Sequence, residues 1–404
     1  MKYIDLKIWE RFLLLSPVIW SWAIVFNFPE SKHVISRLVA LVCIYCVTVY
    51  PSEVRSKIRH KESGFFLLIL ALIASYFSFL HYFRGGHFDF ARVVWTIFFY
   101  FLLVPYRFFE HKVLRDMIFV SSLFFGAVAC YQLIILNDMR IGGIVNSGPY
   151  GFAAGLLLVL VLVDLFNCKK VIVRNIAFDV ISFVILVLCI ALSQTRTSWL
   201  AMFVVLFFVM IRCLRNKSFK MQFALIGVFL IGSVTLTHVD MFKKRINATK
   251  WEYSQIEKGN LNTSLGSRYD MWFNGLEFIK SSPIIGLSDK EEQSKIQSSY
   301  QVGTMQDRAH KILHHNKSSY HNIFVQAGVK GGVIAVALMC LLLLTPFLIK
   351  CDSHYKVYSY PIAIFTVIST QFESHFTIYN QAAYFYIFLI GCLIMSSLRE
   401  GNGT

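Results

Sequence analysis

Val239-Asp-Met-Phe-Lys-Lys-Arg-Ile-Asn-Ala-Thr-Lys250 opens a polar stretch of 81 residues, Val239–Ser319. It interrupts a chain that is otherwise almost continuous apolar run, and no other hydrophilic segment approaches its length. Outside it, hydrophobic residues dominate. They make up 56% of the 404 residues, with a mean hydropathy of +0.58, above the share of about 45–50% usual in soluble domains. A helix needs about 20 apolar residues to cross a hydrocarbon core of about 30 Å. Twelve runs qualify as candidates, near 11–27, 34–50, 64–83, 90–108, 116–136, 149–167, 175–192, 197–213, 221–238, 323–349, 357–372 and 378–398. Backbone groups in lipid must bond internally, so each run reads as a helix. The expectation is an all-α polytopic membrane protein. It has about twelve transmembrane helices and one large periplasmic loop between helices nine and ten. The chain then divides into residues 1–238, 239–319 and 320–404.

The formal charge of +16 does not point to nucleic acid, because the cations alternate with the spans. Arg55, Lys57, Arg59, Lys61, Lys169, Lys170, Arg174, Arg212, Arg215, Lys217 and Lys220 fall on one side, with the N- and C-termini. Only Lys32, Arg37, Arg84, Arg92, Arg140 and Arg196, with Lys330 as a possible seventh, fall on the other among short loops and helix ends. By the positive-inside rule the termini are cytoplasmic and the polar stretch, following an odd-numbered helix, is external. The first apolar run lacks a cleavage-site pattern and is expected to stay as a helix. All nine cysteines lie in or beside apolar runs. Cys43-Ile-Tyr-Cys46, despite its redox spacing, reads as small packing residues.

Within the polar stretch, Ser267–Ser282 reads as an amphipathic helix. Tyr269, Trp272, Phe273, Leu276 and Ile279 share one face, Ser267 and Asp270 act as a capping pair, and Pro283 and Gly286 stop it. Asp289–Ser318 is polar and expected to be partly mobile. Gly151 and Gly155, four apart, read as a surface for close helix approach.

Chemistry is sparse and sits at the edges of the stretch. Arg196, in Ser193-Gln-Thr-Arg-Thr-Ser198, lies at the external junction of two spans. A guanidinium there either grips an anion, with Gln194 and hydroxyls beside it, or anchors the helix at headgroup level. Arg268 falls near a helix start, where free N–H groups favour anions; its bland alternative is an ion pair with Asp270. His321, in Ser318-Ser-Tyr-His-Asn322, lies where the chain re-enters the membrane. An imidazole can take a proton from a hydroxyl at neutral pH, with Tyr320 and Asn322 to orient it, or can simply bond a carbonyl. Arg140 and Lys330 are further anion candidates. His310 and His314 have metal spacing, but without an accompanying acid or cysteine they read as solvated loop. No phosphate-binding Gly-x-x-x-x-Gly-Lys-Ser/Thr occurs, and no acid cluster offers a metal–diphosphate bridge. Acids inside the spans are few, with Asp164 and Asp179 toward cytoplasmic ends, which speaks against a flippase or other transporter.

The order Ser193-Gln-Thr-Arg196, then Ser264-Leu-Gly-Ser-Arg268, Met271-Trp272, Ser282-Pro-Ile-Ile-Gly286, then His321-Asn322, Ala327-Gly328 and Gly331-Gly332 resembles the O-antigen ligase family of bacterial lipopolysaccharide synthesis. The similarity runs from about Arg140 to Leu344. The Pro-x-x-Gly element departs from the wider superfamily in lacking a second glycine. The resemblance implies transfer of a polysaccharide from undecaprenyl diphosphate to a sugar hydroxyl of lipid A–core. The transfer is metal-independent and inverting, needs no cofactor, and takes place at the periplasmic face of the inner membrane. It implies that Arg196 and Arg268 hold the donor diphosphate and that His321 is the base. An O-antigen polymerase shares the donor chemistry and remains the nearest alternative.

Overall fold

A computed structural model describes residues 2–28, 30–52, 57, 61–86, 88–167, 173–214, 240–315, 319–349 and 353–401. The ninth apolar run, 221–238, and Arg55, Arg59, Lys169, Lys170, Arg215, Lys217 and Lys220 lie outside these residues. The described residues form helices and no strands. In chain order these are α1 (Lys2–Ile19), α2 (Ser31–Val49), α3 (Lys61–Arg84), α4 (Asp89–Leu103), α5 (His111–Cys130), α6 (Ser147–Asn167), α7 (Val173–Ser193) and α8 (Arg196–Leu214). Then come α9 (Asp240–Glu257), α10 (Ser264–Ser281), α11 (Asp289–Val302), α12 (Asp307–His315), α13 (Ile323–Leu348), α14 (Ser353–Thr370), α15 (His375–Ile378) and α16 (Asn380–Gly401). Helix thus lies over each of the other eleven apolar runs. Length and composition single out seven that can cross a membrane: α2, α3, α5 continued to Ile135, α6, α7, α13 and α16.

The chain forms two compact units, Met1–Val205 with Ala337–Thr404, and Leu206–Val336. In the first, α6 and α16 are buried along nearly their whole spans, whereas α2, α5 and α7 leave much apolar surface exposed. Exposed leucine and isoleucine on an outer helix is what lipid accepts and water does not. Buried tyrosines tie the helices together through backbone carbonyls: Tyr100 donates to Leu14 O (2.9 Å) and Tyr150 to Phe125 O (2.7 Å). The glycine expectation holds. A methyl group on Gly155 would sit 2.1 Å from the Phe365 ring, and on Gly151 would sit 2.8 Å from Ser193 Oγ. Lys57, read from sequence as a surface cation, is fully buried. Its ammonium bonds the carbonyls of Phe101 (2.8 Å) and Val104, closing the C-terminal end of α4, where a cation complements the helix dipole.

The second unit contains the polar stretch, and there the expectation of a partly mobile loop is corrected. Four helices, α9 to α12, occupy it. Of these, α10, α11 and α12 share a core of Met271, Phe278, Leu287, Ile296, Leu313 and Tyr320. The amphipathic helix is present as α10, but its start differs from expectation. Thr263, not Ser267, caps it by accepting the Gly266 N–H (3.0 Å). Asp270 is buried and accepts the Gln306 N–H (2.8 Å) and the Asn274 amide (2.9 Å). Burial pushes its carboxyl pKa upward against those hydrogen bonds. The inward face is Ser267, Asp270, Met271, Asn274, Gly275 and Phe278, with Trp272 and Ile279 half-buried. Tyr269, Phe273 and Leu276, three of the five residues read as sharing one face, are exposed, at 56%, 55% and 53%. Small and amide side chains face inward because that face must bond the 304–306 turn and approach a tyrosine ring closely, which bulky apolar residues would prevent. A full capping box does occur, on α11, between Ser288 and Glu291. His310 and His314 stack on one another (5.3 Å between rings), with Tyr300 on His310 (4.0 Å). Their ring nitrogens meet the Gln297 and Gln293 amides at 3.2 Å.

Candidate functional site

In the first unit, α7 and α8 are separated by a sharp reversal at Gln194, whose φ of 53° is in the left-handed region. A side chain with a Cβ reaches that region at a cost of about 1 kcal/mol, so something must hold it there. The Gln194 amide donates to Met139 O (2.7 Å), Arg140 Nε donates to Ser193 O (3.2 Å), and Ile141 N donates to Leu192 O (3.2 Å). Thr195 Oγ1 donates to Ser147 O (2.9 Å), at the first residue of α6. Three sequence candidates, Arg140, Gln194 and Arg196, are therefore neighbours at one junction. Arg196 is the first residue of α8 and half-buried. A cation there has the wrong sign for the helix dipole, and a bound anion would reverse that penalty.

The same junction holds two residues the sequence reading passed over. A methyl group on Gly148, in the first turn of α6, would lie 3.8 Å from the Glu373 carboxyl carbon and 3.9 Å from His375 Cε1. His375 is fully buried, its ring tilted against Phe152 with 4.6 Å between ring centres. Both residues come from the short connection between two apolar runs. Their one sequence signal was an acid and an imidazole in Gln371-Phe-Glu-Ser-His375 beside otherwise featureless spans.

In the second unit, His321 immediately precedes the helix cap of α13. It too is left-handed, with φ 49°. Asn322 Oδ1 accepts the Phe324 and Val325 N–H groups (2.9 and 3.1 Å), so this residue caps α13. Tyr320 is fully buried. Its hydroxyl donates to Glu292 Oε1 (3.0 Å), its N–H donates to Gln326 Oε1 (3.0 Å), and its carbonyl accepts from Trp272 Nε1 (2.8 Å). Burial, and then the Glu292 charge, drive the phenol pKa far up, so it stays a donor. Lys330, expected to meet a lipid phosphate or snorkel, instead pairs with Asp289 (2.8 Å) and with Glu292. Tyr320 and Lys330 thus direct their polar atoms at protein acids.

Arg268 lies in the second turn of α10, one turn deeper than the helix start the sequence suggested, and is half-buried. It precedes Trp272 by four residues, hence on the same helical face, and Trp272 is the donor that holds the carbonyl next to His321. The α10–α11 connection also locks onto α13. Non-helical backbone at Gly331 and Gly332 breaks α13. Leu287 N donates to Val329 O (2.7 Å), and Val333 N donates to Pro283 O (2.8 Å). A methyl group on Gly332 would lie 2.2 Å from the Ile284 carbonyl, and one on Gly286 2.4 Å from Gly331 N. Ser282-Pro-Ile-Ile-Gly286 and Gly331-Gly332, read as separate landmarks, are two halves of one contact.

Comparison with known proteins adds two sequence similarities. A protein of Haemophilus influenzae described as uncharacterized is 27% identical over 297 residues, covering 68% of this chain and 71% of the other. A model of the O-antigen ligase family matches residues 181–340, which run from within α7 to within α13 and take in Gln194, Arg196, Arg268, Glu292, His321 and Lys330. Over those residues, about two fifths of the chain, it is similar to the O-antigen ligase family.

Proposed function

We propose that the protein is an O-antigen ligase. It transfers O-polysaccharide from undecaprenyl diphosphate to a hydroxyl of lipid A–core at the periplasmic face of the bacterial inner membrane. The observation that carries this reading is the setting of His321: an imidazole held in a strained backbone at the start of a membrane helix, beside the helix that bears Arg268, inside the segment the family covers. Strain of this kind persists where surroundings over-determine it, and it clusters at functional sites.

The chemistry needs little else. The anomeric carbon–oxygen bond of the donor is already activated by its diphosphate. His321 takes the proton of the acceptor hydroxyl as its oxygen attacks the anomeric carbon from the face opposite the leaving group. The bond to the diphosphate breaks, configuration inverts, and undecaprenyl diphosphate departs with the electron pair. Negative charge grows on the diphosphate, and fixed guanidinium groups at Arg196 and Arg268 stabilise growing charge best. Arginine in that role does the work a divalent metal does elsewhere, so turnover needs neither metal nor nucleotide. Arg140 and Gln194 flank Arg196 and join it in holding the donor, and Asn322 orients His321. General-base assistance is worth about 10²–10⁴ in rate.

The test is reconstitution of the purified protein with carrier-linked donor and rough lipopolysaccharide, in chelator and without ATP. The expected product is lipid A–core capped with polymer. Lengthening of the carrier-linked chain instead would make the protein a polymerase, and a strict divalent-metal requirement would overturn the mechanism. Arg196→Ala, Arg268→Ala and His321→Ala each abolish capping in a ligase-deficient host at normal protein level. Arg196→Lys fails too, because the planar fork is lost.

A further inference from the structure

Glu292 is fully buried and carries no role in the mechanism above. A carboxylate withdrawn from water is costly even when paired, and replacing such a pair by apolar side chains of similar volume is often neutral or stabilising. The fold alone therefore does not ask for it. What distinguishes Glu292 is where its partners stand. One oxygen accepts the hydroxyl of Tyr320, the residue before His321, at 3.0 Å. The other pairs with Lys330, which is also tied to Asp289 at 2.8 Å and precedes the Gly331-Gly332 break. Both ends of the segment that carries His321 are thus fastened to one acid on α11. The remaining polar atoms of Tyr320 are fastened as well, its carbonyl by Trp272 (2.8 Å) and its N–H by Gln326 (3.0 Å). Its ring packs where Gly275 leaves room, 3.1 Å from the position a Cβ there would take. Downstream, Asn322 caps α13. His321 is the one residue in this clamp with a left-handed backbone, and the clamp is what an unfavourable φ needs to persist.

We propose that Glu292 is a positioning residue for His321, acting through Tyr320 and Lys330 to hold the imidazole in line with the acceptor hydroxyl. The inference rests on His321 being the base. Positioning has a signature that plain stabilisation lacks: it matters only while the positioned group is present. A displacement of about 1 Å costs about a hundredfold in rate. Glu292→Gln, which keeps an acceptor for Tyr320 but removes the charge facing Lys330, is therefore expected to lower kcat about a hundredfold. Its KM for the carrier-linked donor stays at the wild-type value.

The deciding experiment is a double-mutant cycle on the full-length protein in nanodiscs, with labelled carrier-linked donor and rough lipopolysaccharide. It compares wild type, Glu292→Gln, His321→Ala and the double variant. In the residual in-vitro turnover that His321→Ala leaves, down by about 10²–10⁴, the Glu292→Gln change is expected to cost nothing further, since effects of residues that act as a unit do not add. Tyr320→Phe runs the same cycle and decides it if Glu292→Gln does not fold. Wild-type kcat in the single variant, or an equal loss in both backgrounds, overturns the positioning role and leaves His321 as base. A His321→Ala variant with full kcat overturns the base itself.

Discussion

Gln194 and His321 hold the same backbone conformation by opposite means. Each stands just before a helix in the left-handed region. At Gln194 the neighbouring bonds are neutral or run to carbonyls: its own amide to Met139 O, and Thr195 Oγ1 to Ser147 O. At His321 the flanking residues feed into buried ions, Tyr320 and Lys330 on Glu292. A neutral junction loses one bond at a time, each worth about 1 kcal/mol. An ionic junction loses everything at once when one partner goes, because the other charge stays buried.

The largest test of that contrast is Glu292→Ala. It takes away one of the two acids on Lys330, leaving Asp289, and removes the Tyr320 acceptor, and is expected to cost about 3–5 kcal/mol, read as a drop in melting temperature in detergent. Acidity sharpens the same point. Burial pushes the Glu292 carboxyl above the usual glutamate range, against the pull of Lys330. An acid with a raised folded pKa binds its proton more tightly when folded. Its contribution is therefore complete below the unfolded pKa and is lost as pH rises through the folded one. Melting curves of Glu292→Gln should fall less over that window than wild type, whereas Thr195→Val should leave the pH dependence as it is.

Next come the glycines. Gly332→Ala drives a methyl group onto the Ile284 carbonyl at a positive φ of 63°, expected to cost about 3 kcal/mol from overpacking and backbone strain together. Gly151→Ala in the first unit meets only hydroxyl tips, Ser193 Oγ at 2.8 Å and Thr195 Oγ1 at 3.0 Å. These can rotate away, so its loss should be clearly smaller. Equal losses would mean that the break in α13 is no tighter than an ordinary helix contact. Thr195→Val itself should cost about 1 kcal/mol, the worth of its bond to Ser147 O.

These same contacts mark where sequence reading stops. The apolar runs are legible because length and hydropathy alone decide them, and the Gly151–Gly155 contact because its spacing is local. Arg196, Arg268 and His321 stood out as candidates because each sits in a short motif. The acids that claim Lys330 were not, since Asp289 lies 41 residues away in sequence and no local period links the two. The inward face of α10 was not named for a related reason. Five bulky residues outvote Asp270, Asn274 and Gly275 in any periodicity, yet the inward face is set by the bonds to Gln306 and Thr304 and by room for Tyr320. Glu373 and His375 were missed because their neighbour Gly148 is more than two hundred residues away in the chain.

The smallest effect is the most discriminating. Glycine reaches the left-handed region without the penalty of a Cβ, though it adds freedom to the unfolded chain that offsets part of the gain. At Gln194 the exchange also removes a 2.7 Å bond to Met139 O, so Gln194→Gly should change stability by close to zero. His321→Gly sacrifices no bond of Tyr320 or Asn322 that fixes the segment, since those run through the residues on either side. Where relief of the backbone outweighs what the imidazole itself holds, stability rises, by up to about 1 kcal/mol, while transfer is lost. That pairing of greater stability with no activity is what strain retained for catalysis looks like. If His321→Gly instead lowers the melting temperature, the imidazole is holding the segment in place, and the direction of the argument reverses: the clamp would then need the histidine rather than serve it.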